Sequence, residues 1–377
     1  MEYSNEVLKI VEGALKSDKE KVVSYSKLLV DKLNENNEKR LASSLTKLVN
    51  SNLNSMSQKS INDMVKVPLD QESRLPMADI ITPAEANEIK VMLNCSAQEQ
   101  INKFVDYYNH SDELISAGIK VPNTILLYGP PGCGKSKLAF YLCNKIKLPL
   151  VVARIDGLVS SFLGSTAKNI RMIFEYAQSV PCILFLDEFD ALAKVRDDNN
   201  ELGELKRVVN SLLQNIDNLQ NGSIIIAATN HEQLLDPAVW RRFGFRINIE
   251  KPDLDTIREL INYFLENRLD EKEIKILTIL FNGLTGAEIE EICKKSMIDS
   301  IIKNVNISVQ LLVNNFFEFA DVVKNRTEST TEKEINMQKA RYLRNVNSKM
   351  FSYNQIADVL GVSKSYISNI INEKEVF

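Results

Sequence analysis

The chain has 377 residues, of which 44% are hydrophobic and 25% are charged, and its formal net charge at pH 7 is -4. This length allows two or three domains with full hydrophobic cores, and the composition is that of an ordinary soluble globular protein. The slight negative charge gives the molecule as a whole no affinity for nucleic acid or anionic membrane, so any such contact needs a local basic patch.

Cysteine and histidine content and hydropathy narrow the class of protein further. The five cysteines are odd in number and form no C-x-x-C pair, which indicates a reduced, cytosolic protein. Two histidines make a His-rich zinc site improbable. The N-terminus is acidic where a signal peptide needs a basic start, and no run of about 18 apolar residues predicts a membrane span. We therefore expect a cytoplasmic protein without membrane contact.

Residues 1–52 are predicted to form a small helical domain, either a hairpin or a three-helix unit. Its first segment, NEVLKIVEGALKS, places apolar residues on one face at helical spacing: Val7, Leu8, Ile10, Val11, Ala14 and Leu15. Two later segments repeat the pattern. Residues 53–75 are polar and rich in Ser and Asn, which is typical of a linker.

An α/β domain is predicted for residues 76–252. Continuous apolar runs such as TILLYG, LPLVVARI, CILFLDE and SIIIAATN alternate with helical patterns, which indicates a parallel sheet covered by helices on both faces. Residues 253–325 contain helical patterns only and are predicted to form an all-α subdomain. A polar tether at 326–336 precedes a helical tail at 337–377.

A phosphate-binding loop is predicted at GPPGCGKS, residues 129–136, because this stretch lies between a predicted strand and a predicted helix. Its three glycines allow backbone N–H groups to point at phosphate oxygens, and the following helix presents the positive end of its dipole. We expect Lys135 to reach the outer phosphates and Ser136 to ligate Mg²⁺. Cys133 occupies a spacer position.

Two further apolar strands end in polar side chains that suit nucleotide hydrolysis. CILFLDE places Asp187 where it can hold hydrated Mg²⁺, and the next residue, Glu188, can act as the general base for water. SIIIAATN ends in Asn230, which is expected between the loop and the Asp187 strand, where it can orient water or contact the γ-phosphate. His231 has no partner cluster in the sequence and is taken as structural or solvent-exposed.

Taken in order, these segments resemble the motifs of the AAA family of ring ATPases over residues 76–320. GPPGCGKS is similar to the Walker A motif, ILFLDEFD to Walker B, IIIAATN to sensor 1 and GLTGAEIEEICKKS to the lid motif of the branch with strong second-region homology. The resemblance implies a P-loop NTPase fold with an all-α lid, ATP and Mg²⁺ as cofactors, and a homo-oligomeric, hexameric ring. The implied nucleotide-binding residues are Gly129, Pro130, Pro131, Gly132, Cys133, Gly134, Lys135, Ser136, Lys137, Gly286 and Ala287.

The segment LLDPAVWRRFGFRI, with the chain's only tryptophan, resembles the arginine-finger segment of this family. RRFGFRI is similar to the RRF-x-x-RI pattern of katanin and spastin, which implies that Arg241 and Arg242 act in trans on a neighbour's γ-phosphate. Gly244 stands where the commoner pattern has a later arginine, so the division of work between the two fingers stays open. The resemblance also implies that no sensor-2 arginine is present.

Substrate contact is predicted at GLVSSFLGSTAKNIRMIF, which resembles the family's pore-loop segment. Phe162, Leu163 and Gly164 match its aromatic–aliphatic–glycine position, and an aromatic on a glycine-hinged loop can grip an extended chain by apolar contact. The alternative is that Phe162 packs in the core. A second, charged loop, KVRDDNNELGELKRVVNSLL, either lines the lower pore or is a solvated connection.

The tail segment YNQIADVLGVSKSYISNII has the spacing of a helix-turn-helix unit, with Ala357, Gly361 and Ile367 at its small, turn and β-branched positions. Residues 337–374 include six basic residues and two acidic ones, so this segment is locally basic. DNA contact is therefore an option, although the same packing also suits docking on a protein or on the lid. The side chains expected to face outward are Ser363, Lys364, Ser365, Tyr366, Ser368 and Asn369.

Three functions follow from these features. The first is an ATP-driven ring that remodels or threads a protein, and the second is a DNA-associated regulator addressed by the tail. The third is an ATPase that activates a partner effector. The chain also resembles bacterial AAA proteins encoded beside subtilisin-like proteases in phage-defence or plasmid modules. Because the sequence contains no candidate Ser–His–Asp set, any proteolysis is expected from such a partner.

Overall fold

The protein is described from a computed structural model. It describes residues 3–15, 19–36, 38–53, 67–70, 74, 76–87, 89–158, 163–193, 202–219, 223–320 and 332–372. These residues form two compact units. The first contains residues 1–91, 95–129 and 135–249, and the second contains 92–94, 130–134 and 250–377.

Three helices begin the first unit: α1 (Ser4–Leu15), α2 (Lys19–Glu35) and α3 (Lys39–Leu53). A small apolar cluster of Leu29, Leu33 and Ala42 joins α2 to α3. The interior face of α1, in contrast, buries Glu6, Lys9 and Gly13. Most of the apolar residues that share the predicted face, among them Val7, Leu8, Val11 and Leu15, are exposed.

A six-stranded sheet runs through the described part of the first unit, in the order β1-β3-β4-β5-β2-β6. Its strands are β1 (Ala78–Ile81), β2 (Thr124–Tyr128), β3 (Leu150–Ala153), β4 (Ile183–Leu186), β5 (Ile224–Thr229) and β6 (Phe245–Asn248). Strands β2 to β6 pair in parallel, with Tyr128 beside Thr229 and Leu186 beside Ala227, whereas β1 is antiparallel to β3. The predicted α/β class with a parallel sheet is confirmed, and an antiparallel edge strand is added to it.

Helices flank this sheet because the inner strands are buried on both faces. One core contains Phe174, Phe189 and Phe243 among its largest side chains. The helices of this part of the unit are α4 (Cys95–Asn109), α5 (Ser111–Ser116), α6 (Lys135–Ile146), α7 (Ile155–Leu158), α8 (Leu163–Ser179), α9 (Asp190–Ala193), α10 (Leu202–Asn218) and α11 (Pro237–Trp240).

The second unit is helical throughout its described residues. It consists of α12 (Leu254–Phe264), α13 (Glu271–Leu280), α14 (Gly286–Lys303), α15 (Val309–Phe319), α16 (Glu332–Val346), α17 (Tyr353–Leu360) and α18 (Lys364–Asn372). Asp253, Asp270, Thr285 and Ser308 cap the N-termini of α12 to α15, each accepting a hydrogen bond from a backbone N–H of the first turn. These caps explain where the predicted helices begin.

The tail helices share one hydrophobic core with the lid helices. Phe281 and Phe316 from the lid belong to the same cluster as Phe351, Ile356 and Ile367 from the tail. The side chain of Gln310 on α15 also donates a hydrogen bond to the carbonyl of Asp358 at 2.7 Å. Docking on the lid is thus the alternative that the tail's packing favours.

In the described parts of the chain, no helix combines the length and the apolar character needed to cross a membrane.

Candidate nucleotide-binding and hydrolysis site

The predicted phosphate loop begins where β2 ends. Gly129 has φ 132°, and a Cβ at this position would lie 2.4 Å from the carbonyl oxygen of Ile249, so only glycine fits. Within the first unit, the buried Lys135 side chain donates a hydrogen bond to the Gly129 carbonyl at 2.7 Å. The Lys135 ammonium group thus lies beside the backbone turn that precedes the N-terminus of α6, a position that suits phosphate binding.

Residues 130–134 of the same loop pack within the second unit. The backbone N–H of Ala287 donates to the carbonyl of Gly132 at 3.0 Å. A Cβ on Gly132, which has φ 74°, would lie 2.9 Å from the hydroxyl of Thr285. Thr285 is the N-terminal cap of α14 and forms a capping box with Glu288. The Gly286–Ala287 pair is therefore positioned against the loop by a locally encoded helix start.

Two oxygen-bearing side chains meet beside the loop. The Ser136 hydroxyl donates to one carboxylate oxygen of Asp187 at 2.7 Å. Ser136 is in the first turn of α6, and Asp187 follows the buried strand β4 directly. A hydroxyl and a carboxylate are ligands that Mg²⁺ accepts, together with water and phosphate oxygens. The residues present fit that ion.

Glu188 has an unusual backbone conformation for a residue other than glycine. Its φ is 46°, and its N–H donates to the other carboxylate oxygen of Asp187 at 2.9 Å. Left-handed backbone at such a residue costs about 1–3 kcal/mol and is concentrated at functional sites. The turn leaves the Glu188 side chain exposed, while Asp187 faces Ser136. Neighbouring carboxylates thus have different surroundings.

Asn230 follows β5, and β5 lies between β4 and β2 in the sheet. The strand ends that are followed by Asp187, Asn230 and Gly129 are therefore adjacent, at the carboxyl-terminal end of the sheet. Sequence reasoning missed a hydrogen bond there, from the Thr229 hydroxyl to a carboxylate oxygen of Asp190 at 2.7 Å. The same hydroxyl accepts from the His231 N–H at 3.0 Å. These bonds fix β5 relative to the turn after β4. In the sequence, the only indication of them was that polar residues flank each motif.

The two arginines after α11 lie at the opposite end of the sheet, where the parallel strands begin. The carbonyl of Arg242 accepts a hydrogen bond at 3.0 Å from the hydroxyl of Thr124, the first residue of β2, whereas the phosphate loop follows the last residue, Tyr128. Four residue steps along a strand span about 13 Å. Both arginines are exposed, and the Trp240 ring packs edge-on against Tyr128, with centroids 5.1 Å apart.

Arg242 is ion-paired with Asp217 at 3.1 Å. Asp217 lies in the last turn of α10, far from Arg242 in sequence, so no local pattern predicted this pair. Among the described residues, no ion pair or side-chain hydrogen bond of Arg241 is found. The two adjacent arginines thus have different surroundings in one chain.

Both predicted pore elements fall wholly or partly outside the described residues. Phe162 and residues 194–201 of the charged loop lie outside them, and Leu163 and Gly164 are the first residues of α8. The assignment of this segment to substrate contact stays a prediction.

The predicted DNA-contacting side chains of the tail are on and just before α18. Ser363, Lys364, Ser365 and Asn369 are exposed, Tyr366 and Ser368 are half-buried, and Gly361 has φ 72° in the turn. Some of the basic charge in the tail serves packing instead. Arg344 donates to the carbonyls of Ser348 and Phe351 and lies over the Tyr353 ring, and Lys339 donates to Asn314.

Three buried thiols outside the phosphate loop, those of Cys143, Cys182 and Cys293, take no part in this site. Burial raises the pKa of Cys143 to about 11 and the pKa of Cys182 and Cys293 to about 12, which keeps them protonated. In the part of the chain that the structure describes, no group of three or more His, Cys, Asp or Glu residues forms a metal site.

A glycine loop between a buried strand and a helix, a Ser–Asp pair beside it and a glutamate on the next turn define a Mg²⁺-dependent nucleoside triphosphatase of the P-loop class. Residues 125–251 match the model of the ATPase family associated with various cellular activities, AAA. The chain is 35% identical over 277 residues to the uncharacterized AAA family ATPase y4kL of Sinorhizobium fredii, covering 73% of this chain and 83% of that protein.

Two further relatives are named ATP-dependent zinc metalloprotease FtsH. The protein from Halothermothrix orenii is 31% identical over 218 residues, which is 55% of this chain and 35% of that protein. The one from Parabacteroides distasonis is 30% identical over 252 residues, or 63% and 36%. The match thus spans about a third of each FtsH. This chain belongs to the AAA family of ATPases, and it binds ATP with Mg²⁺ and hydrolyses it.

Proposed function

We propose that this ATPase works as a hexameric ring whose ATP sites are completed by arginines from the neighbouring copy, and that it remodels or threads a protein. The proposal rests on the position of Arg242, which lies at the end of the sheet where the parallel strands begin. Gly129, Asp187 and Asn230 all follow the carboxyl ends of strands, so the arginines and the phosphate loop are on opposite edges of one subunit. A neighbouring copy supplies the phosphate that they reach.

In the proposed site, Lys135 and the loop N–H groups hold the outer phosphates, and Asn230 orients the attacking water. Glu188 accepts that water's proton as it attacks the γ-phosphorus. Mg²⁺, when bound at Ser136 and Asp187, neutralises charge on the β- and γ-phosphates. Arg241 and Arg242 of the next copy stabilise the charge that spreads over the transferred phosphoryl group. Such fingers contribute about 10³–10⁵ in rate in other NTPases.

Mixing two inactive variants tests completion in trans. The double variant Arg241→Ala, Arg242→Ala has a complete phosphate loop but no fingers, and Glu188→Gln has fingers but no base. Each alone is expected to lose steady-state ATP hydrolysis, and an equimolar mixture is expected to recover part of it. Glu188→Gln mixed with Lys135→Ala is the matched control, since neither partner then has a competent loop and base. A finger-less variant with full activity would overturn the proposal.

The threading step rests on the resemblance of the Phe162 segment to a pore loop and on the relatives named as ATP-dependent proteases. We expect Phe162→Ala to retain ATP hydrolysis and to lose remodelling. The substrate is first identified by capture on the Glu188→Gln protein. Remodelling is then measured as unfolding of that substrate after fluorescent labelling. Phe162→Tyr keeps the aromatic ring and serves as the control. Undiminished remodelling by the alanine variant would remove the pore loop from the mechanism.

In a third arrangement, the ring passes its substrate to a separate effector, such as a protease encoded nearby. Under this arrangement, the effector's activity rises in the presence of the wild-type ATPase and ATP. The Glu188→Gln protein is expected to bind the effector and to leave its activity at the basal level. Equal activation by both proteins would show that activation of the effector does not depend on ATP hydrolysis.

A second candidate function is DNA association through α18, favoured by its row of exposed polar side chains behind the Gly361 turn. Deleting the tail would also uncover the lid core, so point substitution is the appropriate test. Lys364→Glu should weaken DNA retention, with an effect that shrinks as salt rises. Lys349→Glu is the control for charge alone. Full-length protein that shows no salt-sensitive retention would exclude this candidate.

A further inference from the structure

Helix α1 has its apolar side facing outward. Val7, Leu8, Val11 and Leu15 are 47%, 59%, 48% and 83% exposed. They recur at the spacing of one helix face, so they form a continuous apolar strip, here named the α1 strip. Isolated exposed apolar residues are common on protein surfaces, whereas contiguous ones mark contact sites.

The inward side of α1 is polar, and its charges are paired. Glu6 is almost fully buried and forms an ion pair with Lys32 of α2 at 2.7 Å. Glu12 accepts from both Lys9 and Lys21, at 3.3 and 3.1 Å. Turning the helix to bury the α1 strip would break the two pairs with α2, Glu6–Lys32 and Glu12–Lys21. The outward orientation of the strip is therefore fixed by ion pairs and does not result from loose packing.

Helix α1 is also tied to the body of the first unit. The N–H of Asn5 donates to a carboxylate oxygen of Asp112, in the first turn of α5, at 3.1 Å. Burial is the largest cause that raises the pKa of Asp112, and the hydrogen bond from Asn5 opposes it. The α1 strip thus has a defined place on the surface of the sheet-containing unit.

That place is next to the proposed finger. A pocket of about 510 Å³ is lined by Leu8, Lys9 and Glu12 of α1 and also by Asp217, Asn218 and Leu219. Asp217 is the ion-pair partner of Arg242. The strip therefore begins at a pocket that is also lined by the ion-pair partner of Arg242.

We infer that the α1 strip is covered by a second copy of this chain, the copy whose phosphate Arg242 reaches. The inference rests on the proposed trans action of the arginines, because a copy that docks against Arg242 also approaches the adjoining pocket and Leu8. Apolar side chains at the centre of an interface with charged residues at its rim are the usual arrangement in stable assemblies. The N-terminal helices thereby become part of the subunit interface.

Self-association of the full-length chain tests the inference. We expect Leu8→Glu combined with Leu15→Glu to weaken ATP-dependent assembly at least tenfold in sedimentation velocity, in a Glu188→Gln background. The matched control is Leu48→Glu on α3, a side chain that is 63% exposed, and it is expected to leave assembly unchanged. Circular dichroism checks that the variants fold, since both substituted positions are already exposed. Parent-like assembly of the double variant would overturn the inference.

Crosslinking identifies the occupant. In a Cys95→Ser background, Leu15→Cys carrying a benzophenone maleimide is expected to give a covalent dimer of this chain only with ATP. Absence of that dimer in assembled protein, or attachment to a different protein, would also overturn the inference. Failure of the finger-mixing experiment leaves these two readouts unchanged, so the two proposals can fail separately.

Discussion

At the scale of single residues, Asp187 and Glu188 show how backbone conformation assigns different tasks to neighbouring carboxylates. The positive φ at Glu188 sends its side chain outward, while Asp187 accepts the Ser136 hydrogen bond. Sequence patterns predicted both positions because a buried strand that ends in two acidic residues has few other uses. The strained backbone, however, depends on the packed turn after β4 and could not be predicted from residue type.

We expect Glu188→Gln to lower the ATP hydrolysis rate by about 10²–10⁴ while retaining nucleotide affinity, because it removes the proton acceptor and not a phosphate contact. Hydrolysis is measured by phosphate release and affinity by a fluorescent ATP analogue. Glu175→Gln makes the same change on an exposed helix face and should leave the rate unchanged. A near-normal rate for Glu188→Gln would assign the base to another group.

The pairing of Arg242 marks the limit of residue-level prediction. Sequence reasoning placed the arginines by motif, and the pairing of Arg242 with Asp217 joins residues that are far apart in the chain. Such a pair becomes visible only when α10 and the turn after α11 are packed together. Both side chains are partly exposed, so the pair adds little stability by itself. Its significance is the position in which it holds Arg242.

At the scale of elements, periodicity predicted the inner strands and the lid helices, and it was misleading at the edges. Strands β1 and β6 are short and only partly buried, so neither has a continuous apolar run. For α1 periodicity predicted an apolar face but gave no orientation for it in the fold. Buried ion pairs with α2 decided its orientation, and periodicity contains no information about such pairs.

Helix α2 is attached to the sheet-containing body through Tyr25, which is almost fully buried. Burial is the main reason that the pKa of its phenol is raised, and a hydrogen bond with Ser223 opposes the rise. We expect Tyr25→Ala to destabilise the protein by about 3–5 kcal/mol, since it leaves a large cavity. Tyr25→Phe keeps the ring that fills this space and should therefore cost much less than the alanine variant.

Urea unfolding of the two Tyr25 variants provides the measurement, and limited proteolysis reports whether α1 to α3 are released first. Equal stability of the alanine variant and the wild type would show that the N-terminal helices contribute nothing to the folded body.

At the scale of the whole molecule, the resemblance to the AAA family predicted the class of enzyme, because ordered motifs constrain the fold far more than composition does. Nucleotide chemistry is concentrated at the carboxyl ends of β2, β4 and β5, and the arginines are at the amino end of β2. Under the proposed trans action, a single subunit would contain two half-sites that face different neighbours. No motif stated how the N-terminal helices or the tail attach, since neither belongs to the common pattern.

The single tryptophan can report on both half-sites. The Trp240 ring contacts Tyr128, the residue before the phosphate loop, and is followed by Arg241. We expect one change in emission when ATP binds at low protein concentration and a second when the concentration allows assembly. Lys135→Ala should remove both changes, and Arg241→Ala with Arg242→Ala should alter only the second. Trp240 emission that does not change on dilution would show that Trp240 lies outside the proposed subunit interface.

The core that the tail shares with the lid also has a mechanical meaning. Because Phe351, Ile356 and Ile367 pack in the same cluster as the lid phenylalanines, the tail cannot swing freely on a tether. Any rotation of the lid during the ATP cycle carries α17 and α18 along as its outer surface. Under the second candidate function, DNA bound at α18 would therefore be displaced together with the lid.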